Sequence, residues 1–176
     1  MTTWAMFDLE TLATDPAAQV LTIGAVKFDP FSFKDTHSEF YYRFNIDEQD
    51  QLDRTQNPDT LTWWGEQSVA AQEEAFHPDR TDCREILWAF KKWYVGCDGI
   101  WSQGSFDVNI MENMYRQFDI PIPWAHWQVG DSRSLLKRMP QDPRYDNKFV
   151  AHDALADAKA QVDALRKTFK HFNMTK

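Results

Sequence analysis

Two carboxylates lie at the end of the first apolar stretch of the chain, residues 4–11 (WAMFDLET). The stretch begins with aromatic and apolar residues and contains no Gly or Pro, which predicts a β-strand. Side chains alternate between the faces of a strand, so Asp8 and Glu10 point the same way. Ionised carboxylates in a covered strand need a partner, and Mg²⁺ takes oxygen ligands. The pair therefore predicts a divalent-cation site; the alternative is a strand end that frays into a loop, with Glu10 in water.

Three later residues extend this candidate site. Asp107 opens a predicted helix that follows a short predicted strand. His152 precedes another predicted helix, and Asp157 lies in its first turn. Carboxylates are favoured at helix N-termini, so stabilisation of the two helices is the alternative explanation for both acids. Each position is uninformative alone, whereas their order and local context together indicate a site.

In combination, these motifs resemble the DEDDh subgroup of the DEDD superfamily of 3′–5′ exonucleases. The three family motifs are matched in order by FDLET at 7–11, by FD at 106–107, and by His152 with Asp157 five residues later. The resemblance covers residues 4–169. It implies an α/β fold of the ribonuclease-H-like type, with a mixed β-sheet flanked by helices.

The match to the superfamily is not uniform. Many proofreading-type members carry His-Asn shortly before the second-motif Asp, where this chain has Gln103-Gly104-Ser105. The segments 101–104 (WSQG) and 61–64 (LTWW) are more similar to a small bacterial and phage branch. The substrate preference of the proofreading members is therefore not carried over to this chain.

The resemblance implies that phosphodiester bonds are hydrolysed with the help of two metal ions. Two ions ~3.5–4 Å apart clamp the attacking and leaving oxygens of an in-line displacement. By resemblance, Asp8 bridges two Mg²⁺ ions, which Mn²⁺ can replace, and the acidic cage is completed by Glu10, Asp107 and Asp157. His152 is the expected general base, since an imidazole pKa of ~6.5 suits proton transfer near neutrality.

Contacts with the substrate are also predicted by analogy. Thr11 and Leu12 would line the pocket for the 3′-terminal nucleoside, and Phe106 would contact its sugar or base. Lys148 is a candidate phosphate contact, with a solvated charge as the alternative. Bases stack on aromatic side chains, which makes the pair at 63–64 a candidate platform. A Trp pair in a helix more often packs in the core, so at least one of these two indoles is expected to be buried.

The remaining pattern predicts the elements that position these residues. Strands are predicted at 20–28 and 39–45, where they would form an antiparallel meander with the first strand. The run 47–57 is predicted to be an exposed linker, and 140–148 a polar loop. A short strand is predicted at 99–102, and helices are predicted to begin near 58 and 82 and to cover 106–118, 131–139 and 153–172. This order favours an α/β fold with a mixed sheet.

Length and composition bound the class of protein. The 176 residues suit one domain, which we expect to comprise residues 1–176. An aromatic content of 15% and only 6 Gly exclude a low-complexity or disordered chain. No stretch approaches the ~20 apolar residues of a membrane span, and nothing resembles a signal peptide. Cys83 and Cys97 fit neither a CxxC pair nor a disulfide framework, so a cytoplasmic location is expected.

The formal net charge of −8 argues against a strong electrostatic hold on nucleic acid. However, residues 133–176 contain ten of the 19 Lys and Arg residues. A weak, local basic surface is therefore compatible with the sequence. The same basic C-terminal part, including Arg166, Lys167 and Lys170, makes a homodimer a reasonable expectation.

The leading hypothesis is a metal-dependent 3′–5′ exonuclease that acts on single-stranded ends and releases nucleoside 5′-monophosphates. DNA and RNA both remain candidate substrates, because the 2′-hydroxyl is sensed by specific pocket contacts. One alternative is a nucleic-acid-binding module that has lost catalysis; it gives no reason for all five motif residues to be intact. Another is a structural domain whose acids only fix a cation; it gives no role to His152.

Overall fold

The computed structural model describes residues 2–33, 38–146 and 152–175. The strands are β1 (Trp4–Thr11), β2 (Val20–Phe28), β3 (Ser38–Arg43), β4 (Gly99–Ser102) and β5 (Val129–Asp131). The α-helices in these ranges are α1 (Gln49–Leu52), α2 (Pro58–Gly65), α3 (Val69–Ala75), α4 (Cys83–Tyr94), α5 (Phe106–Gln117), α6 (Ser132–Leu136) and α7 (Ala154–His171). Short 3₁₀ turns occupy His126–Gln128 and Pro143–Asp146.

The strands form one mixed sheet in the order β3-β2-β1-β4-β5. The first three strands are an antiparallel meander, as predicted. β4 pairs parallel with β1, and β5 pairs parallel with β4. The predicted mixed sheet with flanking helices is confirmed. β5 was not predicted, because three residues are too few to show the alternation that marks a strand.

The two faces of β1 pack against different helices. Phe7 and Leu9 belong to a large apolar cluster that includes buried residues of α4 and α5. Met6 packs instead in a second cluster with residues of α7. Because side chains alternate along a strand, Asp8 and Glu10 share the face of Met6. The two acids therefore face α7, on one side of the sheet.

α7 lies directly on β2 at Gly24, the residue that pairs with Asp8 in the β1–β2 ladder. A Cβ atom at Gly24 would lie 2.1 Å from the backbone nitrogen of Leu155 and 2.2 Å from the carbonyl carbon of Ala154. These distances are far below van der Waals contact, so a side chain here would force the helix off the sheet. Glycine thus permits the first turn of α7 to approach the strand that pairs with the acidic end of β1.

The run 47–57 is not the exposed linker that the sequence indicated. It contains α1, and Gln51 in this helix is buried. The side-chain amide of Gln51 bonds to the backbone of Val20 in the way that a neighbouring strand would. Its Oε1 accepts from the Val20 N–H at 3.2 Å, and its Nε2 donates to the Val20 carbonyl at 2.7 Å. Arg54 is also buried and donates to the Ala18 carbonyl at 2.7 Å and to Gln117 Oε1 at 2.5 Å. These bonds tie the connection between β1 and β2 to α5.

Several helix boundaries differ from the predicted ones. The helix that begins at Pro58 ends at Gly65, and α3 starts separately behind the capping hydroxyl of Ser68. α6 ends at Leu136 instead of residue 139. Residues 140–148 include a 3₁₀ turn, and the last two lie outside the described ranges. Among the described helices, α7 is the longest at 18 residues, and none has both the length and the apolar character needed to cross a bilayer.

Asp82 precedes Glu85 by three residues, a spacing typical of a capping box, but no such box forms at the start of α4. Asp82 is the residue before the helix, but its carboxylate makes no capping bond to the backbone. Glu48, which lies beside α1, takes this role from a distant point of the chain, since its Oε1 accepts from the Cys83 N–H at 3.0 Å. A cap supplied by a distant residue leaves no local sequence pattern.

Replacement of Gly24 by alanine is expected to lower the thermal midpoint of unfolding. Overpacking costs about 1–3 kcal/mol, which corresponds to a decrease of about 2–12 °C for a chain of this size. Calorimetry of Gly24→Ala and wild-type protein measures the difference. Gly65→Ala is the control, because a Cβ there meets open space. Equal midpoints for the two variants would show that α7 does not require this close approach.

Candidate active site

The first three acids meet at the carboxyl ends of two adjacent strands. β1 and β4 run parallel, so the end of β1 and the start of α5, which follows β4, lie at the same edge of the sheet. Asp107 is in the first turn of α5 and is buried. Its Oδ1 accepts from the backbone N–H of Leu9 at 3.2 Å. This bond fixes the Asp107 carboxylate beside the strand that carries Asp8 and Glu10.

The start of α7 brings the remaining motif residues to the same place. The backbone N–H of His152 donates to Asp157 Oδ2 at 3.0 Å. Ligand atoms of Glu10, His152 and Asp157 all lie within 4.8 Å of one another. Asp153 caps α7, since its Oδ1 accepts from the Ala156 N–H at 2.9 Å. The residues predicted from the three motifs are thus brought together at one edge of the sheet.

Burial raises the pKa of every acid in this cluster, and the charges of the other acids raise it further for Asp8 and Glu10. Desolvation is the largest cause, and it raises the pKa of Glu10 to about 8, that of Asp107 to about 7 and that of Asp157 to about 6. The pKa of Asp8 is raised well above its ordinary value, first by desolvation and then by the charges of the other three. Such a cluster is destabilised when ionised and is relieved by a cation.

The donor set fits a divalent metal ion. Carboxylate oxygens from one strand and two helices converge, with an imidazole nitrogen close by. Carboxylate oxygens are the ligands that Mg²⁺ and Mn²⁺ prefer. The Gln161 Nε2 donates to Asp8 Oδ1 at 2.7 Å, which holds that carboxylate without neutralising it. The described residues thus include an acidic site that can hold a metal.

His152 packs beside the two indoles of α2. Its ring contacts Trp63 edge to face, with ring centres 4.6 Å apart, and the ring of Trp64 is 6.1 Å away. Trp64 is 2% exposed and its Nε1 donates to the Thr11 carbonyl at 2.9 Å, whereas Trp63 is 39% exposed. The prediction that at least one of the pair is buried is therefore confirmed. Desolvation lowers the pKa of His152, so its imidazole is neutral at neutral pH and able to accept a proton.

A cavity of about 510 Å³ opens beside the acidic cluster. Its volume suits a small ligand such as a nucleoside. Glu10 lies on one wall and aromatic side chains form others. The lining residues are Leu9, Glu10, Thr11, Ala13, Thr14, Asn57, Asp59, Thr60, Trp63 and Phe106.

The predicted substrate-contact residues are placed differently from one another. Thr11 and Phe106 line the cavity, and the Thr11 hydroxyl donates to the Ala13 carbonyl at 2.8 Å. Leu12 is buried in an apolar cluster with Leu21 and Trp64, so it packs behind the cavity wall. Lys148 lies outside the described residues.

Two contributors to the site were missed at the level of sequence. Gln161 lies four residues after Asp157, and residues at that spacing share one face of a helix, so its approach to Asp8 was readable. The contact between Trp63 and His152 joins residues 89 positions apart in the sequence and leaves no local pattern. Only the fold reveals it.

The raised carboxyl pKa values predict how stability of the metal-free protein depends on pH. A carboxyl whose pKa is higher in the folded state binds more protons when folded, so stability falls as pH rises above the unfolded-state pKa. For Glu10 this fall runs from 4.5 to about 8. In EDTA, the thermal midpoint is expected to decrease from pH 5 to pH 8. Added Mn²⁺ should restore it, and more strongly at pH 8. A midpoint that rises over this range in EDTA would contradict the assignment.

The variant Glu10→Gln provides a sharper form of the same measurement. Loss of one buried negative charge should raise the midpoint in EDTA at pH 8 by about 2–4 °C for each kcal/mol of relieved repulsion. It should also reduce the shift that Mn²⁺ produces. Glu73→Gln removes an exposed carboxylate away from the cluster and is the matched control.

Removal of the Trp63 ring is expected to impair catalysis without unfolding the protein. Aromatic contacts of this geometry contribute about 0.5–1.5 kcal/mol, so kcat of Trp63→Ala should fall about 2- to 13-fold as His152 loses its support. Trp63→Phe should retain most of the rate. Trp88→Ala, another exposed indole, is the control for surface effects. An unchanged kcat for Trp63→Ala would rule out this contact as support for His152.

Comparisons with known proteins give the family and the fold of the chain. Residues 3–169 match the sequence model of the family described as the 3′–5′ exoribonuclease Rv2179c-like domain. Among proteins of curated function, none matches the sequence.

Solved structures with the same fold include exonucleases from bacteria and yeast. The zinc-bound E. coli exonuclease I complex with single-stranded DNA superposes with a TM-score of 0.71 at 16% identity, over 98% of this chain and 41% of that one. Exonuclease I from Methylocaldum szegediense gives 0.70 at 15% identity, over 99% and 42%. S. pombe Pop2p in its Mg²⁺- and Mn²⁺-bound form gives 0.67 at 10% identity, over 97% and 84%. The chain spans about two fifths of the length of the exonuclease I structures.

The predicted exonuclease family and the ribonuclease-H-like fold are confirmed by these matches. Because the family match runs over nearly the whole chain, the chain belongs to the Rv2179c-like 3′–5′ exoribonuclease domain family.

Proposed function

We propose that the protein removes nucleotides from the 3′ end of single-stranded nucleic acid and releases nucleoside 5′-monophosphates, with RNA as the preferred substrate. The observation that carries this proposal is the convergence of Asp8, Glu10, Asp107 and Asp157 around one point, with the imidazole of His152 beside them. Membership of an exoribonuclease family favours RNA. The complex of exonuclease I with single-stranded DNA keeps a DNA strand as the alternative substrate.

The four carboxylates would hold two Mg²⁺ ions, for which Mn²⁺ can substitute. When bound, such ions neutralise the phosphate, stabilise the leaving oxygen and make a bound water more acidic. The Mg²⁺- and Mn²⁺-bound form of Pop2p supports this choice of metals. The backbone N–H of Leu9, the amide of Gln161 and the N–H of His152 orient the carboxylates of Asp107, Asp8 and Asp157 for this task.

His152 accepts the proton of the attacking water in this proposal. Burial keeps its imidazole neutral near pH 7, which is the form that a general base needs. The contact with Trp63 holds the ring at the acidic cluster.

The cavity beside the cluster would receive the 3′-terminal nucleoside. Phe106 and Trp63 offer aromatic surfaces on which any base can stack, and such stacking contributes about 1–3 kcal/mol per base. Thr11 borders the same space, and Leu12 supports the wall from behind. A phosphate contact by Lys148 remains a prediction. A single exonuclease domain over residues 1–176, a cytoplasmic location and a homodimer also remain predictions.

Degradation of 5′-labelled single strands tests the proposal. Wild-type protein in Mg²⁺ or Mn²⁺ should shorten RNA, and more slowly DNA, from the 3′ end, and EDTA should stop the reaction. Loss of a general base costs about 10²–10⁴-fold, so His152→Ala should fall by that factor. Asp8→Asn should fall to background.

Two controls define the outcomes of this assay. His126→Ala removes an exposed histidine away from the site and should leave the rate unchanged. Full activity of Asp8→Asn would overturn the two-metal assignment. Tight binding of the strand by wild-type protein with no cleavage in either metal would instead favour an inactive nucleic-acid-binding module.

A further inference from the structure

A second cavity adjoins the one assigned to the terminal nucleoside. It has a volume of about 420 Å³ and shares two lining residues, Thr14 and Phe106, with the first cavity. Phe106 precedes Asp107, so the second cavity opens on the Asp107 side of the acidic cluster. Its other walls come from the loop after β4, from α5 and from the start of α6.

Arg133 supplies a positive charge to this second cavity. It is exposed, and its guanidinium makes no hydrogen bond or ion pair with any described residue. The guanidinium is close enough to the acidic cluster to lower the pKa of Asp107, against the larger effect of burial. Within the described residues, Arg133 is the cation whose charge lowers the pKa of an acid in the cluster of Asp8, Glu10, Asp107 and Asp157.

The loop after β4 leaves room for this guanidinium. Gly104 has a φ of +105°, a conformation that favours glycine. A Cβ atom at that position would lie 3.6 Å from Arg133 Nε and 3.7 Å from its Cζ, so the Arg133 guanidinium lies directly beside the backbone of Gly104. The Gly104 carbonyl accepts from the Ser102 hydroxyl at 2.6 Å, which fixes the loop.

The cavity is also lined by two side-chain amides and by one carboxylate that already accepts hydrogen bonds. The side-chain amides of Gln103 and Asn109 form no hydrogen bonds with the described part of the chain, so they are available to a ligand. The Asp131 carboxylate also lines the cavity, but it accepts from the Arg133 backbone N–H at 2.9 Å and from the Ser134 hydroxyl at 2.5 Å. Unpaired donors beside a cation suit an anionic ligand with several acceptor oxygens.

We propose that this second cavity binds the phosphodiester backbone of the nucleotide that precedes the 3′-terminal one, with Arg133 as the phosphate contact and Gln103 and Asn109 as neutral donors. The site rests on the proposed function, because it extends the path of a strand whose terminal nucleoside occupies the first cavity. The formal net charge of the chain is −8, so a cation beside the carboxylate cluster favours the approach of a polyanion, and Arg133 is placed to provide it. A contact with the backbone alone is independent of base sequence.

Two substrates of different length separate this site from the first cavity. The p-nitrophenyl ester of thymidine 5′-monophosphate contains one nucleotide and would occupy the first cavity alone. A single-stranded oligonucleotide would occupy both cavities. We expect Arg133→Gln to raise KM for the oligonucleotide roughly 10-fold, as loss of a charge-assisted hydrogen bond does, with kcat changed less than about 2-fold. Neither constant should change for the ester, and Arg133→Lys should recover part of the affinity.

A binding measurement gives a readout that does not depend on turnover. Fluorescence anisotropy of a labelled oligonucleotide in Ca²⁺ should show weaker binding by Arg133→Gln and a slope against the logarithm of salt concentration that is smaller by about 0.7, the value for one phosphate contact to a single strand. Arg138→Gln removes the same charge from an exposed position outside both cavities and should change neither quantity.

The outcomes distinguish the site from the proposed function. Equal loss with the ester and the oligonucleotide would mean that Arg133 acts through Asp107, and it would overturn the site. An unchanged oligonucleotide KM and salt slope would overturn it as well. If wild-type protein cleaves neither substrate but Arg133→Gln still weakens binding with the expected slope, the proposed function fails and the site stands.

Discussion

Repulsion among buried carboxylates is the constraint on which the rest of this structure depends. Asp8, Glu10, Asp107 and Asp157 come from one strand and two helices, and the same burial that brings them together raises the pKa of each. Hydrogen bonds lower the pKa of three of these acids in part: Gln161 donates to Asp8, the Leu9 N–H to Asp107 and the His152 N–H to Asp157. For Glu10, every contribution raises the pKa, so no described group offsets the burial of this carboxylate.

Apolar packing at the other end of β1 and α7 offsets the unfavourable free energy of bringing the carboxylates together. β1 is covered on both faces, and its first residue, Trp4, stacks on Trp101 of β4 with ring centres 4.7 Å apart. Phe169 near the end of α7 meets both indoles edge to face. The apolar end of α7 thus anchors the helix, while its acidic end reaches the site across Gly24. Rigid placement of both ends keeps the acids together in spite of their repulsion.

The parts of the fold with strong local patterns were predictable from sequence. β2, β4, α5 and α7 have the expected type and nearly the expected bounds, because their apolar periodicity is uninterrupted. That the five motif residues lie together was predictable, because the order and spacing of the motifs can be read from the sequence. What escaped prediction depends on contacts between distant residues: the Gln51 amide that substitutes for a strand, the Glu48 cap of α4, and the indole beside His152. The apolar periodicity of a segment does not reveal its contacts with distant residues, so residues 47–57 were wrongly predicted to be an exposed linker.

The bond between Gln161 and Asp8 joins residues 153 positions apart, and α7 is the last helix to take its place in chain order. Contacts of such long range close late, because the entropy of a large loop must be overcome before they contribute. A chain that has collapsed without docking α7 holds two fragments of the acid cluster but no assembled centre. The complete candidate centre is therefore expected only in the finished fold, once the last of these helices has docked.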